Sequence, residues 1–170
     1  NKSKNYDFNF GIKFQFRDLD TFIHKNHKNE TDINHINRFQ GTRLDFEEYR
    51  ILKNTVKNNN LYAICTPFDE VSVKIIKDME IDILKIASCS ANDWPLLEEA
   101  ALSGMPIVCS TGGLKLSEID DLYSFFKHKG VDFAFMHCVS IYPTDLKDLQ
   151  LNQIDFMKKR YPDIVVGWST

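Results

Sequence analysis

No run in this 170-residue chain approaches the ~20 consecutive apolar residues of a membrane span, and its opening residues do not read as a signal peptide. Nor is there an excess of one charge. Lys and Arg number 21 against 24 Asp and Glu, and a net charge of -3 leaves no electrostatic footprint for nucleic acid. The cysteines Cys65, Cys89, Cys109 and Cys138 form no CxxC pair, which argues against a zinc knuckle. No Gly-rich fingerprint follows any strand-like segment, which weakens a dinucleotide-binding reading. No two strand-like segments are joined by a hairpin turn. These absences point to a cytoplasmic protein with neither a membrane nor a nucleic-acid partner, its cysteines serving as small hydrophobes in a reducing compartment rather than as disulfides.

What remains is ordinary globular material, 43% hydrophobic and 26% charged, long enough for one domain with a substantial core. After a polar, frayed lead over Asn1–Asn9, Gly11–Phe16 reads as a strand. Period two puts Lys13 and Gln15 on one face and Ile12, Phe14 and Phe16 on the other. His24–Gln40 reads as a solvated surface loop; its His24, His27 and His35 share no register that would make them metal ligands. A helix follows from Phe46 to Val56 with Tyr49, Leu52 and Val56 on one stripe, then a strand at Leu61–Thr66 and a helix at Glu70–Met79. Ile83-Leu84-Lys85-Ile86-Ala87 is a strand, and a helix capped by Asp93, with Pro95 in its first turn, closes at Gly104. Pro106–Cys109 is the fourth strand. A helix capped by Ser117, with Ile119, Leu122, Phe125 and Phe126 inward, ends at Gly130; a strand at Val131–His137, a helix at Leu149–Arg160 and a strand at Ile164–Trp168 complete the chain.

Strict alternation of strand and helix requires a parallel sheet with right-handed crossovers. Polar residues gather at the carboxyl ends of nearly every strand: Lys13 and Gln15, Thr66, Lys85 and Ser88, Ser110 and Thr111, His137 and Ser140, and Ser169. A barrel collects such ends around one mouth, whereas an open sheet strings them along a line. The fold expected is therefore α/β, a partial (β/α)8 TIM barrel, since six units are short of eight. Lys85 is the key residue. A lysine inside an aliphatic strand either snorkels from an edge or points into an anion-binding pocket, and residue type alone leaves both open.

The series KFQ at Lys13, TPFDE at Thr66, KIAS at Lys85, STGG at Ser110, MHC-x-x-IYPT at Met136 and GWST at Gly167 resembles the sialic acid synthase (N-acetylneuraminate synthase) family. The resemblance covers almost the whole chain, as strands two to seven of the family's barrel. It implies a transferase of surface-carbohydrate biosynthesis that joins phosphoenolpyruvate to an N-acetylated hexosamine, giving a nine-carbon acidic sugar. It also implies a divalent metal, Mn or Mg, and a homodimer when full length. Lys13 and Lys85 would be the catalytic cations; Thr66, Ser88, Ser110 and Ser169 would add donors to phosphoenolpyruvate. Gln15 and Tyr142 would face the sugar, with Phe68 at the pocket wall. Capping of the next helix is an equal alternative for Thr66, Ser110 and Ser169, a half-buried aromatic role is the lesser alternative for Tyr142, and a hydrogen-bonded core place is the better reading of His137.

Three departures from the family pattern stand out. Ser90 replaces a glutamate that contacts the sugar, Ser140 replaces an asparagine, and the family's Ser-Asp-His after the seventh strand is met here by Ser169-Thr170, the histidine position lying beyond Thr170. The metal-binding histidines, the first and eighth strands and the C-terminal antifreeze-like domain are expected outside this chain. No metal ligand is expected within it, and the piece alone is expected to be inactive and prone to self-association. Two other functions remain open: a class I aldolase with Lys85 as Schiff-base lysine, and a non-catalytic remnant that binds an acidic sugar or a partner.

Overall fold

The structure, a computed structural model, describes residues 7–28, 30, 32–141 and 143–170. The first six residues of the expected frayed lead, and Tyr142, lie outside the described residues. The fold is α/β: six parallel strands with helices between them, a part of a (β/α)8 barrel. Two compact units divide the chain, residues 1–81 and 82–170. No helix among the described residues is long and apolar enough to cross a membrane.

In the first unit, β1 (Gly11–Phe16) pairs in parallel with β2 (Tyr62–Pro67), Gln15 opposite Thr66 and Lys13 opposite Ile64. The alternation K-F-Q-F-R turns the charged and amide side chains to one face, while Phe14 and Phe16 meet Tyr49 of α3 (Phe46–Asn58) on the other. A capping box starts α3: Asp45 accepts from the Glu48 N–H and Glu48 from the Asp45 N–H, both at 2.8 Å. Leu52 of the expected stripe stays exposed. Asp69 caps α4 (Glu70–Asp78) through the Ser72 N–H at 2.7 Å and also accepts from the Asp18 N–H at 2.9 Å. One carboxylate thereby ties together the loops that follow β1 and β2.

The surface loop expected over His24–Gln40 is corrected. The stretch holds a 3-10 turn at Lys25–His27 and the helix α2 (Asn34–Gly41), preceded by the short α1 (Leu19–Phe22). Ile33, Ile36 and Phe39 recur every third residue, and Ile36 packs with Leu19, Ile23 and Phe39 into a small core. Amide and charged residues between these positions masked the stripe.

In the second unit, β3 (Ile83–Ile86), β4 (Ile107–Ser110), β5 (Phe133–His137) and β6 (Val165–Trp168) pair in parallel in chain order. Leu84, Ile86, Ile107, Cys109, Phe133, Phe135 and Val166 are buried on one face. Their register neighbours Lys85, Val108, Ala134, Met136 and Gly167 occupy the other, which is only half-buried. Between the strands run α5 (Trp94–Leu102), α6 (Leu116–Lys129) and α7 (Asn152–Arg160). Asp93 caps α5 as expected, its carboxylate accepting from the Leu96 N–H at 3.3 Å. Ser117 does not cap α6. That helix begins at Leu116, where Glu118 accepts from the Lys115 N–H at 2.6 Å, and Phe125 is half-buried against Trp94 rather than inward. Nor does α7 start at Leu149, which is buried ahead of it after a 3-10 turn at Leu146–Asp148. Gly130 closes α6 in the left-handed region at φ 67°.

Two carboxylates join α6 and its neighbours to the far end of α7. Asp120 accepts from Arg160 Nε and Nη2 at 2.8 and 2.7 Å and from the Tyr161 hydroxyl at 2.7 Å, while Asp163 accepts from Tyr123 at 2.6 Å and pairs with Lys127. These partners, the Arg160 hydrogen bond first, hold the Asp120 carboxyl below its ordinary value of 3.8. A depressed carboxyl contributes stability above the unfolded value and loses it as pH falls through the folded one. Asp120→Asn is therefore expected to lower the stability of the full-length protein near neutral pH by less than about 1 kcal/mol, as exposed pairs do. The gap to wild type should close as pH drops below about 4 in thermal melts. A gap that persists unchanged into acid would show that the pairing adds nothing.

Candidate active site

The site builds on the half-buried face of the second unit. There Lys85 Nζ donates to Ser110 Oγ at 2.5 Å and to the Ile86 carbonyl at 2.9 Å. Ser110 is only 3% exposed. The lysine does not snorkel: its ammonium is held at the carboxyl ends of β3 and β4, by a hydroxyl two register steps along. On the same face Met136 packs directly on Gly167, where a Cβ would lie 2.8 Å from Met136 Sδ.

The glycines of STGG follow from contact and from backbone conformation. A Cβ on Gly112 would meet Cys138 Sγ at 2.5 Å, Ser140 Oγ at 2.8 Å and the Cys138 carbonyl at 2.9 Å, so the turn after β4 packs directly on the segment after β5. Gly113 takes φ 79°, in the left-handed region. Exposed Ser140 is thereby set beside Gly112, and the Ser169 N–H donates to the His137 carbonyl at 2.9 Å, fixing the end of β6. His137 itself points to the buried face and its Nε2 bonds the Leu149 carbonyl at 2.9 Å, the core role expected for it. Ser88 and Ser90 form a 3-10 turn, Ser88 half-buried and Ser90 buried with its hydroxyl 3.9 Å from Cys89 Sγ.

In the first unit, Lys13 and Gln15 are exposed on the polar face of β1. Beside Gln15, Thr66 is 2% exposed, and its Oγ1 is buried without a hydrogen-bond partner. A buried orphan hydroxyl costs stability unless water or a ligand satisfies it. Phe68 is half-buried beneath the guanidinium of Arg17, 3.8 Å from its ring centre. Arg17 was missed in the sequence, although its alternation with Lys13 and Gln15 places it on their face.

Burial pushes the Cys65 and Cys109 thiols up to about 12, so both stay protonated near neutral pH and neither is a nucleophile. Cys65, Cys109 and Cys138 are buried as expected; Cys89 is exposed.

The profile of the NeuB family matches residues 8–170. The chain belongs to the NeuB family. It is 46% identical, with a TM-score of 0.94, to the solved structure of a Chromobacterium violaceum protein described as spore coat polysaccharide biosynthesis protein E, covering 98% of this chain and 50% of that one. An N-acetylneuraminic acid (sialic acid) synthetase of Leptospira borgpetersenii, solved with citrate, is 32% identical with a TM-score of 0.83, over 93% of this chain and 53% of that one. The N-acetylneuraminate-9-phosphate synthase of Drosophila melanogaster is 34% identical over 72% of this chain and 33% of its own length. The chain thus spans a third to a half of the relatives it matches. For a NeuB-family chain the expected divalent metal needs a donor set, and among the described residues no three His, Cys, Asp or Glu side chains are grouped to hold an ion. His27 pairs with Glu30 at 2.9 Å, and His24 accepts from the Asn26 N–H. The described residues do not fit a metal site.

Proposed function

We propose that the protein containing this chain condenses phosphoenolpyruvate with an N-acetylated hexosamine to form a nine-carbon acidic sugar and phosphate. The observation that carries this reading is the Lys85 ammonium on Ser110, on the half-buried face where the strands end. Phosphoenolpyruvate bears a carboxylate and a phosphate, and such a ligand needs cations and neutral donors held in place beforehand. Lys85 and Lys13 supply charge, Ser88, Ser110 and Ser169 supply donors, and Thr66 Oγ1 is a buried hydroxyl still lacking a partner. Gln15, Phe68, Ser90, Ser140 and Tyr142 are assigned to the sugar side.

Balanced, the reaction forms one carbon–carbon bond as the third carbon of phosphoenolpyruvate attacks the sugar aldehyde, whose oxygen gains a proton. Water adds at the second carbon, phosphate leaves, and that carbon becomes a ketone. The residues of this chain contribute by orienting the two substrates and holding the anionic end. The names of the relatives differ on one point, a free synthetase product against a 9-phosphate.

The test is release of inorganic phosphate from phosphoenolpyruvate by the full-length protein when an N-acetylated hexosamine or its phosphate is added. Release that depends on the sugar is expected. Sugar binding without release would leave a binding module instead. Covalent trapping of pyruvate on Lys85 by borohydride would replace the reading with a Schiff-base aldolase.

A further inference from the structure

Next to Gln15 lies a cleft of ≈ 230 Å³ lined by Gln15, Arg17, Thr42, Arg43 and Tyr49 with Leu19, Phe39 and Leu44. Its wall holds two guanidiniums, an amide and two hydroxyls, and no carboxylate. We propose that this cleft binds a phosphate monoester on the acceptor sugar and makes the protein selective for a hexosamine phosphate. The inference rests on the proposed reaction for its turnover test, but not for its binding test.

Arg17 is pre-set for the task. Its guanidinium carbon stands 3.8 Å from the Phe68 ring centre, 4.4 Å from Phe39 and 5.7 Å from Phe22, and Nη2 donates to Gln15 Oε1 at 3.1 Å. Stacking on aromatic faces fixes the plane of the fork, so little rotamer freedom is lost when it grips an oxyanion. Arg43 is oriented from outside the cleft by Asp20, 3.1 Å from its Nη2, which leaves the rest of its fork for a ligand. Tyr49 donates to the Gln15 carbonyl at 2.6 Å, fixing the backbone from which the Gln15 side chain projects. The volume falls below the ~300–1,000 Å³ of a drug-sized site and suits a tetrahedral oxyanion with a few waters. Two arginine forks are the usual means of recognising phosphate, where lysine acts only as a point charge.

Gln15 lies on both the cleft wall and the face that carries Lys13, so a sugar touching Gln15 can extend its far end toward Arg17 and Arg43. Phosphoenolpyruvate contributes three of the nine product carbons, so the ninth carbon of the product is the sixth of the hexosamine. A phosphate on that carbon is the group farthest from the reacting aldehyde.

The experiment compares N-acetylmannosamine with its 6-phosphate on the full-length protein, wild type against Arg43→Gln and Arg17→Lys. Wild type is expected to favour the phosphorylated sugar in kcat/KM, and each variant to reduce that preference by ~10–100-fold, the range for a lost charged hydrogen bond. Calorimetric binding of the sugar phosphate should weaken by a similar factor in Arg43→Gln, whether or not turnover occurs. Equal use of both sugars by wild type, unchanged preference in both variants, or unchanged binding of the sugar phosphate in Arg43→Gln would overturn the proposal. So would a rise in KM confined to phosphoenolpyruvate, since the cleft would then hold the phosphate of that substrate. Absence of phosphate release with either sugar, beside intact arginine-dependent binding, would instead strike the proposed reaction.

Discussion

Lys85→Ala in the full-length protein is expected to lower kcat/KM for phosphoenolpyruvate by roughly 10²–10³-fold, the cost of removing one preorganised donor. The ammonium is held by a nearly buried hydroxyl and a main-chain carbonyl, so its position is set before substrate arrives. Ser110→Ala should leave the charge but free the lysine to move, giving a smaller loss of about tenfold, as for one neutral hydrogen bond. The fold should survive both changes, because Lys85 lies on the half-buried face and away from the packed layer. Unchanged efficiency in a folded Lys85→Ala protein would make this lysine a structural residue and remove the basis for the proposed reaction.

Phe135→Ala is expected to cost about 3–5 kcal/mol of stability, the range for deleting a buried phenyl ring. Phe135 is 0% exposed and stands 5.2 Å from Phe133 and 5.6 Å from Tyr161, centre to centre. Phe126 and Tyr123 of α6 extend this aromatic layer through Phe133. Total stability is commonly about 5–15 kcal/mol, so the variant should unfold at far lower urea in equilibrium titrations. Phe135→Leu, which keeps most of the volume, should lose less. A shift below about 1 kcal/mol for the alanine variant would show that the ring is loosely held.

Much of the scaffold was legible in the residues. The bounds of β1 follow from the alternation in Gly11–Phe16, and β2 is displaced by one residue from its expected start and end, at Tyr62–Pro67. Asp93 with Pro95 marks the start of α5, and Gly130 the end of α6. The failures share a cause: a local pattern was weak and a distant contact decided. Ile36 is helical and buried because Leu19 and Ile23 receive it, and α6 starts at Leu116 because the Glu118 carboxylate outcompetes a serine cap. Arg17 has no sequence signal of its own, since one arginine after a strand belongs to no motif.

The sequence by itself determined the alternation of strands and helices, the gathering of polar residues at the strand ends and the likeness to one family. Those are short-range properties, carried by period, caps and consecutive motif residues. Only the tertiary structure decided that Lys85 rests on Ser110, 25 residues away. It alone set His137 on the buried face toward Leu149, left Thr66 Oγ1 without a partner, pressed Gly112 against Cys138 and Ser140, and stacked Arg17 on rings from three separate segments. A strand's period says which side chains share a face. Which face the helices cover, and which distant groups meet on the other, follows from how the strands and helices pack in three dimensions.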